Sequence, residues 1–73
     1  MGAITTTPEE LQRRLDVEIN KAEIRLQTAA EDVAAAVATD EFMVELARFD
    51  VKRDRLNDLR IAQRIMEEFG VIG

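Results

Sequence analysis

The chain has 73 residues, a net charge of −5, and neither cysteine nor histidine. A chain this short forms at most one domain, and because it cannot form disulfides or thiolate zinc sites, oligomerisation is its main route to extra stability. The absence of Ser, Cys and His also argues against acyl-transfer catalysis, so we expect a protein that is not an enzyme and that holds no cofactor.

The first six residues predict a short, flexible N-terminal arm. They lack the basic start and apolar core of a secretory signal, and the chain has no apolar run near the ~20 residues of a membrane span. We therefore expect a cytoplasmic protein. Its acidic charge disfavours nucleic acid and anionic membranes as partners. Arginine outnumbers lysine eight to two, which is typical of a GC-rich genome, and a phage or other mobile element is the expected source.

The segment TPEE predicts the start of a helix. Thr7 is suited to cap the free N–H groups, Pro8 suits the first helical position, and Glu10 is placed to complete a capping box. No further Pro or Gly occurs before Gly70, and no strand-like alternation competes with a helical body. The body, residues 7–70, is therefore predicted to be one all-α domain.

The first half of this body carries a heptad repeat of apolar residues, namely Leu15, Ile19, Ala22, Leu26, Ala29, Val33 and Ala36. If the chain reverses at Thr39, residues equidistant from Thr39 face each other. Small residues then meet large ones, as an interdigitated core requires, in the pairs Ala36–Phe42, Ala29–Phe49 and Ala22–Leu56, with Ile19–Leu59 beyond them. We predict an antiparallel two-helix hairpin, with helices at about 8–38 and 40–69; the alternative is one helix ~90 Å long.

Details of the hairpin follow from the same register. Thr39 or Asp40 is expected to cap the second helix, with Glu41 in its first turn. Two layers pair poorly, since Lys52 would meet Leu26 and Glu45 would meet Val33, and we expect Arg53 or Leu46 to take those layers instead. The register also places Arg60 beside Glu18.

The C-terminal end combines a stop signal with an apolar tail. Gly70 followed by Val71 predicts a Schellman ending of the second helix. The tail, residues 71–73, is expected either to fold over the open end of a bundle or to dock on another protein.

Helix 2 is apolar on two sides, which is typical of a helix that is buried on two sides. One side packs within the hairpin, so the other predicts contact with a second chain, as a homodimeric four-helix bundle or a higher homo-oligomer. The residues predicted for this oligomer or partner interface are Val17, Ile24, Val44, Val51, Ile65 and Phe69.

Three carboxylates, Asp50, Asp54 and Asp58, recur every four residues on one face of helix 2. The main interpretation is a solvated face. Pairing with basic residues of another subunit is the first alternative, because it offsets the repulsion between like charges. A Mg²⁺ or Ca²⁺ site is the second.

Two basic stripes lie on other faces of helix 2, and they comprise Arg48, Lys52 and Arg55, and Arg53, Arg60 and Arg64. Ion pairing is the main interpretation. The alternatives are contact with a nucleic-acid backbone and capture of a small anionic ligand where several arginines converge. No aromatic residue is interleaved with either stripe to stack on bases.

Two-sided amphipathicity and the missing catalytic residue types lead to one main hypothesis. The protein is a self-associating helical hairpin that acts as an assembly, adaptor or regulatory subunit through its surface. Its expected partners are itself and another protein. A nucleic-acid-binding hairpin dimer and an anion-binding oligomer are the alternatives.

Overall fold

A computed structural model describes residues 7–71, which form two helices and contain no strand. Helix α1 spans Pro8–Ala36 and helix α2 spans Phe42–Glu68, and the two helices pack against each other. The longest dimension is 53 Å, which a single continuous helix of ~90 Å would exceed. The all-α hairpin is therefore confirmed. The predicted N-terminal arm, residues 1–6, and the last two residues of the predicted tail lie outside the described residues.

The outer ends of the two helices follow the sequence signals. Thr7 Oγ1 accepts a hydrogen bond from the N–H of Glu10 at 3.1 Å, directly before Pro8 at the helix start. The Glu10 carboxylate instead accepts from Arg14 at 3.3 Å, so the capping box is one-sided. At the end of α2, Gly70 has φ +70°, a conformation that glycine adopts without strain.

The Schellman ending of α2 is confirmed by two backbone hydrogen bonds. The N–H of Val71 donates to the carbonyl of Met66 at 2.8 Å, and that of Gly70 donates to Glu67 at 3.2 Å. These bonds satisfy two of the last carbonyls of the helix.

The turn is longer than predicted, because α1 ends at Ala36 and α2 begins at Phe42. The Thr39 hydroxyl donates to the Ala36 carbonyl at 2.9 Å and accepts from the N–H of Glu41 at 3.1 Å. It is therefore occupied with the end of α1 and the turn itself. Glu41 is the N-cap of α2 and makes no side-chain cap bond, so the prediction that Thr39 or Asp40 caps α2, with Glu41 in the first turn, was wrong.

The core is narrow and belongs mainly to α1. The residues of the described chain with less than a tenth of their surface exposed are Leu15, Ala22, Ala29, Ala36 and Leu56. Four of the five are members of the predicted heptad of α1, and the other heptad members are half-buried. Small residues at alternate layers of α1 let the larger side chains of α2, such as Phe49, approach closely.

The inner face of α2 keeps its polar residues. Lys52 is half-buried and the Glu45 side chain is only 17% exposed, whereas the Arg53 side chain is 59% exposed. The prediction that Arg53 replaces Lys52 was therefore wrong. The seam advances by alternating steps of three and four residues, so it runs from Phe49 through Lys52 to Leu56 and bypasses Arg53. Leu46 is half-buried, as Glu45 is.

Candidate functional site

The outer side of α2 presents a second heptad line, which we call the outer stripe. Its eight positions alternate in steps of four and three, and they are Val44, Arg48, Val51, Arg55, Asp58, Ala62, Ile65 and Phe69. Val51 and Phe69 expose 69% and 76% of their surface, and Val44 and Ile65 expose 44% and 50%. A line of large apolar side chains in water is unfavourable, and such a surface is typical of an interaction site.

The six predicted interface residues do not share one surface. Four of them lie on the outer stripe, but Val17 and Ile24 lie on α1, where they expose 46% and 58% of their surface. Ile24 follows Leu15 by nine residues, which at about 100° per residue places it about 180° away from that core residue. Val17 and Ile24 therefore face away from α2, and they form a separate and smaller surface.

One interhelical groove, with a volume of about 290 Å³, brings three cations together. Lys52 and Arg55 line it from α2, and Arg25 lines it from α1 together with Glu18. Arg25 was not among the predicted site residues. The register did not carry this signal, since a reversal at Thr39 places Arg25 opposite Arg53, and only the folded geometry brings it to the groove of Lys52 and Arg55.

Three of the six predicted anion-contacting residues are next to carboxylates. Arg48 lies 2.9 Å from Glu45. Arg53 lies 3.2 Å from Asp50, and its guanidinium carbon is 5.9 Å from the centre of the Phe49 ring. These pairs connect neighbouring turns of α2, and the arginine side chains remain about 60% exposed, so each pair contributes little to stability.

Arg60 of α2 forms an ion pair with α1, but its partner is Glu23, at 4.0 Å, and not Glu18 as predicted. Arg60 and Glu23 line one flank of the hairpin, whereas Glu18 lines the groove on the opposite flank. A register specifies neither the flank of a residue nor the reach of a long side chain, and Glu23 lies five residues further along α1 than Glu18, which together explain the error.

The remaining predicted cations have no acidic neighbour of this kind. Within residues 7–71, no carboxylate oxygen lies within 4.0 Å of the charged nitrogens of Lys52, Arg55 or Arg64, and Asp58 likewise has no basic partner at that distance. Arg55 and Asp58 are adjacent positions of the outer stripe, so two unpaired charges of opposite sign sit at its centre. The predicted contact with nucleic acid stays a prediction that this geometry does not test.

The acidic ladder of α2 shows no metal geometry. In the described part of the chain, no three acidic side chains converge closely enough to hold a metal ion, and Asp50 pairs with Arg53.

Neither described helix is long and apolar enough to span a bilayer.

The outer stripe of α2 and the interhelical groove lined by Arg25, Lys52 and Arg55 are thus the two candidate binding surfaces. The stripe offers apolar area with a charged centre, and the groove offers converging positive charge. Comparison of the chain with protein-family models, curated proteins and solved structures finds no match.

Proposed function

We propose that this protein is a self-associating helical hairpin that works as an assembly, adaptor or regulatory subunit through its surface and not through catalysis. The observation that carries the proposal is the outer stripe of α2, whose four large apolar residues are 44–76% exposed. The hairpin leaves these residues in water, although only five of the described residues, 7–71, are buried in its own core.

Burial of the outer stripe adds buried apolar surface, of which the hairpin alone has little. Removing apolar surface from water contributes roughly 25 cal/mol per Å², and a two-helix unit has little interior of its own from which to gain that energy. A second chain on the stripe converts exposed side chains into core. Self-association therefore supports both the stability of the hairpin and its use as a building block.

Sedimentation equilibrium on the full chain tests the proposal. The monomer mass is 8.3 kDa, and we expect the measured mass to rise toward an integral multiple of it as protein concentration increases. The urea midpoint should rise with concentration as well, because association stabilises the folded state by mass action. A mass that stays at that of the monomer, with a midpoint independent of concentration, would refute self-association.

A second candidate function, binding of a small anion, is favoured by the meeting of Arg25, Lys52 and Arg55 in one groove. Converging cations suit phosphate or carboxylate groups, although Glu18 in the same groove offsets part of their charge. Thermal unfolding with inorganic phosphate or tripolyphosphate tests this idea. We expect a rise in melting temperature that Arg25→Gln removes and that the exposed control Arg13→Gln preserves; no shift with either anion argues against the candidate.

A further inference from the structure

We propose that the outer stripe of α2 binds the same stripe of a second copy, antiparallel and about a two-fold axis, with Arg55 of each copy paired to Asp58 of the other. This inference rests on the self-association proposed above and specifies its surface, orientation and register. Its basis is a symmetry of the stripe that a foreign partner would not require.

The stripe is self-complementary about a point between Leu56 and Asn57. Positions equidistant from that point face each other when two copies of α2 run antiparallel. All eight stripe positions are then matched, in the pairs Val44–Phe69, Arg48–Ile65, Val51–Ala62 and Arg55–Asp58, and the two-fold axis generates each pair twice. Large meets small at Val51–Ala62, and the aliphatic stem of Arg48 lies over Ile65.

The charges favour this arrangement over a parallel pair and over the antiparallel registers shifted by one residue. A parallel pair in register places Asp58 against Asp58 and Arg55 against Arg55. An antiparallel pair centred on Leu56 places Asp54 against Asp58, and one centred on Asn57 loses the pairing of Arg55 with Asp58. Like charges directly opposed are destabilising, whereas the proposed register opposes only unlike charges at its centre.

The structure leaves both the charges and the space available. Within residues 7–71, neither Arg55 nor Asp58 has an ion-pair partner within 4.0 Å. The stripe lies about 110° around α2 from the seam that contacts α1, at about 100° per residue. Helix α2 can therefore contact α1 and a second α2 at the same time, as a helix at the corner of a four-helix bundle does.

The experiment uses two charge variants of the full chain, Arg55→Asp and Asp58→Arg, measured alone and mixed. Each variant alone opposes two like-charged pairs across the axis, so we expect its self-association constant to weaken by roughly tenfold to a hundredfold at low salt. An equimolar mixture restores both unlike pairs between chains and should associate about as tightly as the native protein. Ion pairing within one helix is not restored by mixing, so recovery reports contact between chains.

Arg64→Asp is the matched control, because it changes the charge by the same amount as Arg55→Asp. Arg64 is exposed and follows Arg55 by nine residues, which places it about 180° away around α2. This variant should associate like the native protein. If the two stripe variants also associate like the native protein, the stripe pairing is wrong while self-association stands; if the native protein is monomeric, both proposals fail.

Disulfide trapping reads the orientation directly, because the chain has no cysteine of its own. A mixture of Val44→Cys and Phe69→Cys chains should form a covalent heterodimer under mild oxidation. Val44→Cys alone should not crosslink, since antiparallel pairing separates the two copies of position 44 by about 37 Å at 1.5 Å per residue. Efficient crosslinking of Val44→Cys with itself would overturn the antiparallel arrangement.

Discussion

Helices α1 and α2 are nearly equal in length, with 29 and 27 residues, but they divide their apolar residues differently. Of the five buried residues in the described part of the chain, α1 contributes four, and its exposed large apolar residues are Val17 and Ile24. Helix α2 contributes one buried residue, Leu56, while Lys52 and Glu45 occupy its seam and its outer stripe is largely apolar.

The difference indicates that the two helices are built for different numbers of neighbours. Most of the apolar seam of α1 is buried by one neighbour, because α2 covers its small residues. Much of the apolar surface of α2 stays exposed in the hairpin, because it points away from α1. A test of this comparison therefore perturbs the seam and the stripe separately and asks which perturbation depends on association.

The largest effect is expected from a charge placed in the seam at Ala29, which is 2% exposed. Ala29→Glu overfills a tight layer and buries a carboxylate, which together should cost about 4 kcal/mol or more and unfold the hairpin. Circular dichroism in urea measures this loss. Ala34→Glu, the same substitution at an exposed position of α1, should leave the midpoint nearly unchanged; equal losses in the two variants would contradict the seam.

The next largest effect is expected from a substitution in the seam of α2, compared with one in its outer stripe. Leu56→Ala empties a site that is 5% exposed and should lower the free energy of unfolding by about 2–4 kcal/mol at every protein concentration. Val51→Ala, at a residue 69% exposed in the hairpin, should have little effect in dilute solution and a larger effect where chains associate. Urea unfolding at two concentrations distinguishes the two cases, and a Val51→Ala effect independent of concentration would count against burial of the stripe.

The sequence predicted the periodic features well, because they depend on local spacing. The heptad from Leu15 to Ala36 specified the seam of α1, and Gly70 specified the end of α2. The turn was less predictable, since Thr39 had two available uses and only the folded geometry shows its hydroxyl bound to the end of α1.

Interactions between long side chains were the least predictable. Arg60 was predicted beside Glu18 but lies 4.0 Å from Glu23, five residues further along α1 and on the other flank, because a register specifies neither the flank of a side chain nor how far it reaches along the helix. The prediction that Arg53 takes the place of Lys52 in the seam was wrong because a lysine can occupy a half-buried position. Its stem covers apolar surface while its ammonium group reaches water, so the seam keeps its regular spacing through Lys52.

Lys52 gives the smallest expected effect and the sharpest test of why the seam of α2 is polar. Lys52→Met keeps the length of the side chain and its helix propensity while removing the charge from a half-buried position. If the lysine is only tolerated, added apolar burial should raise the free energy of unfolding by about 0.5–1 kcal/mol, seen as a higher urea midpoint with an unchanged slope. Arg53→Met, one residue along and largely exposed, is the control and should move the midpoint less. A loss of stability in Lys52→Met alone would instead mean that the positive charge of Lys52 acts favourably across the groove that it shares with Glu18, and the polar seam would then be a stabilising part of the contact between α1 and α2.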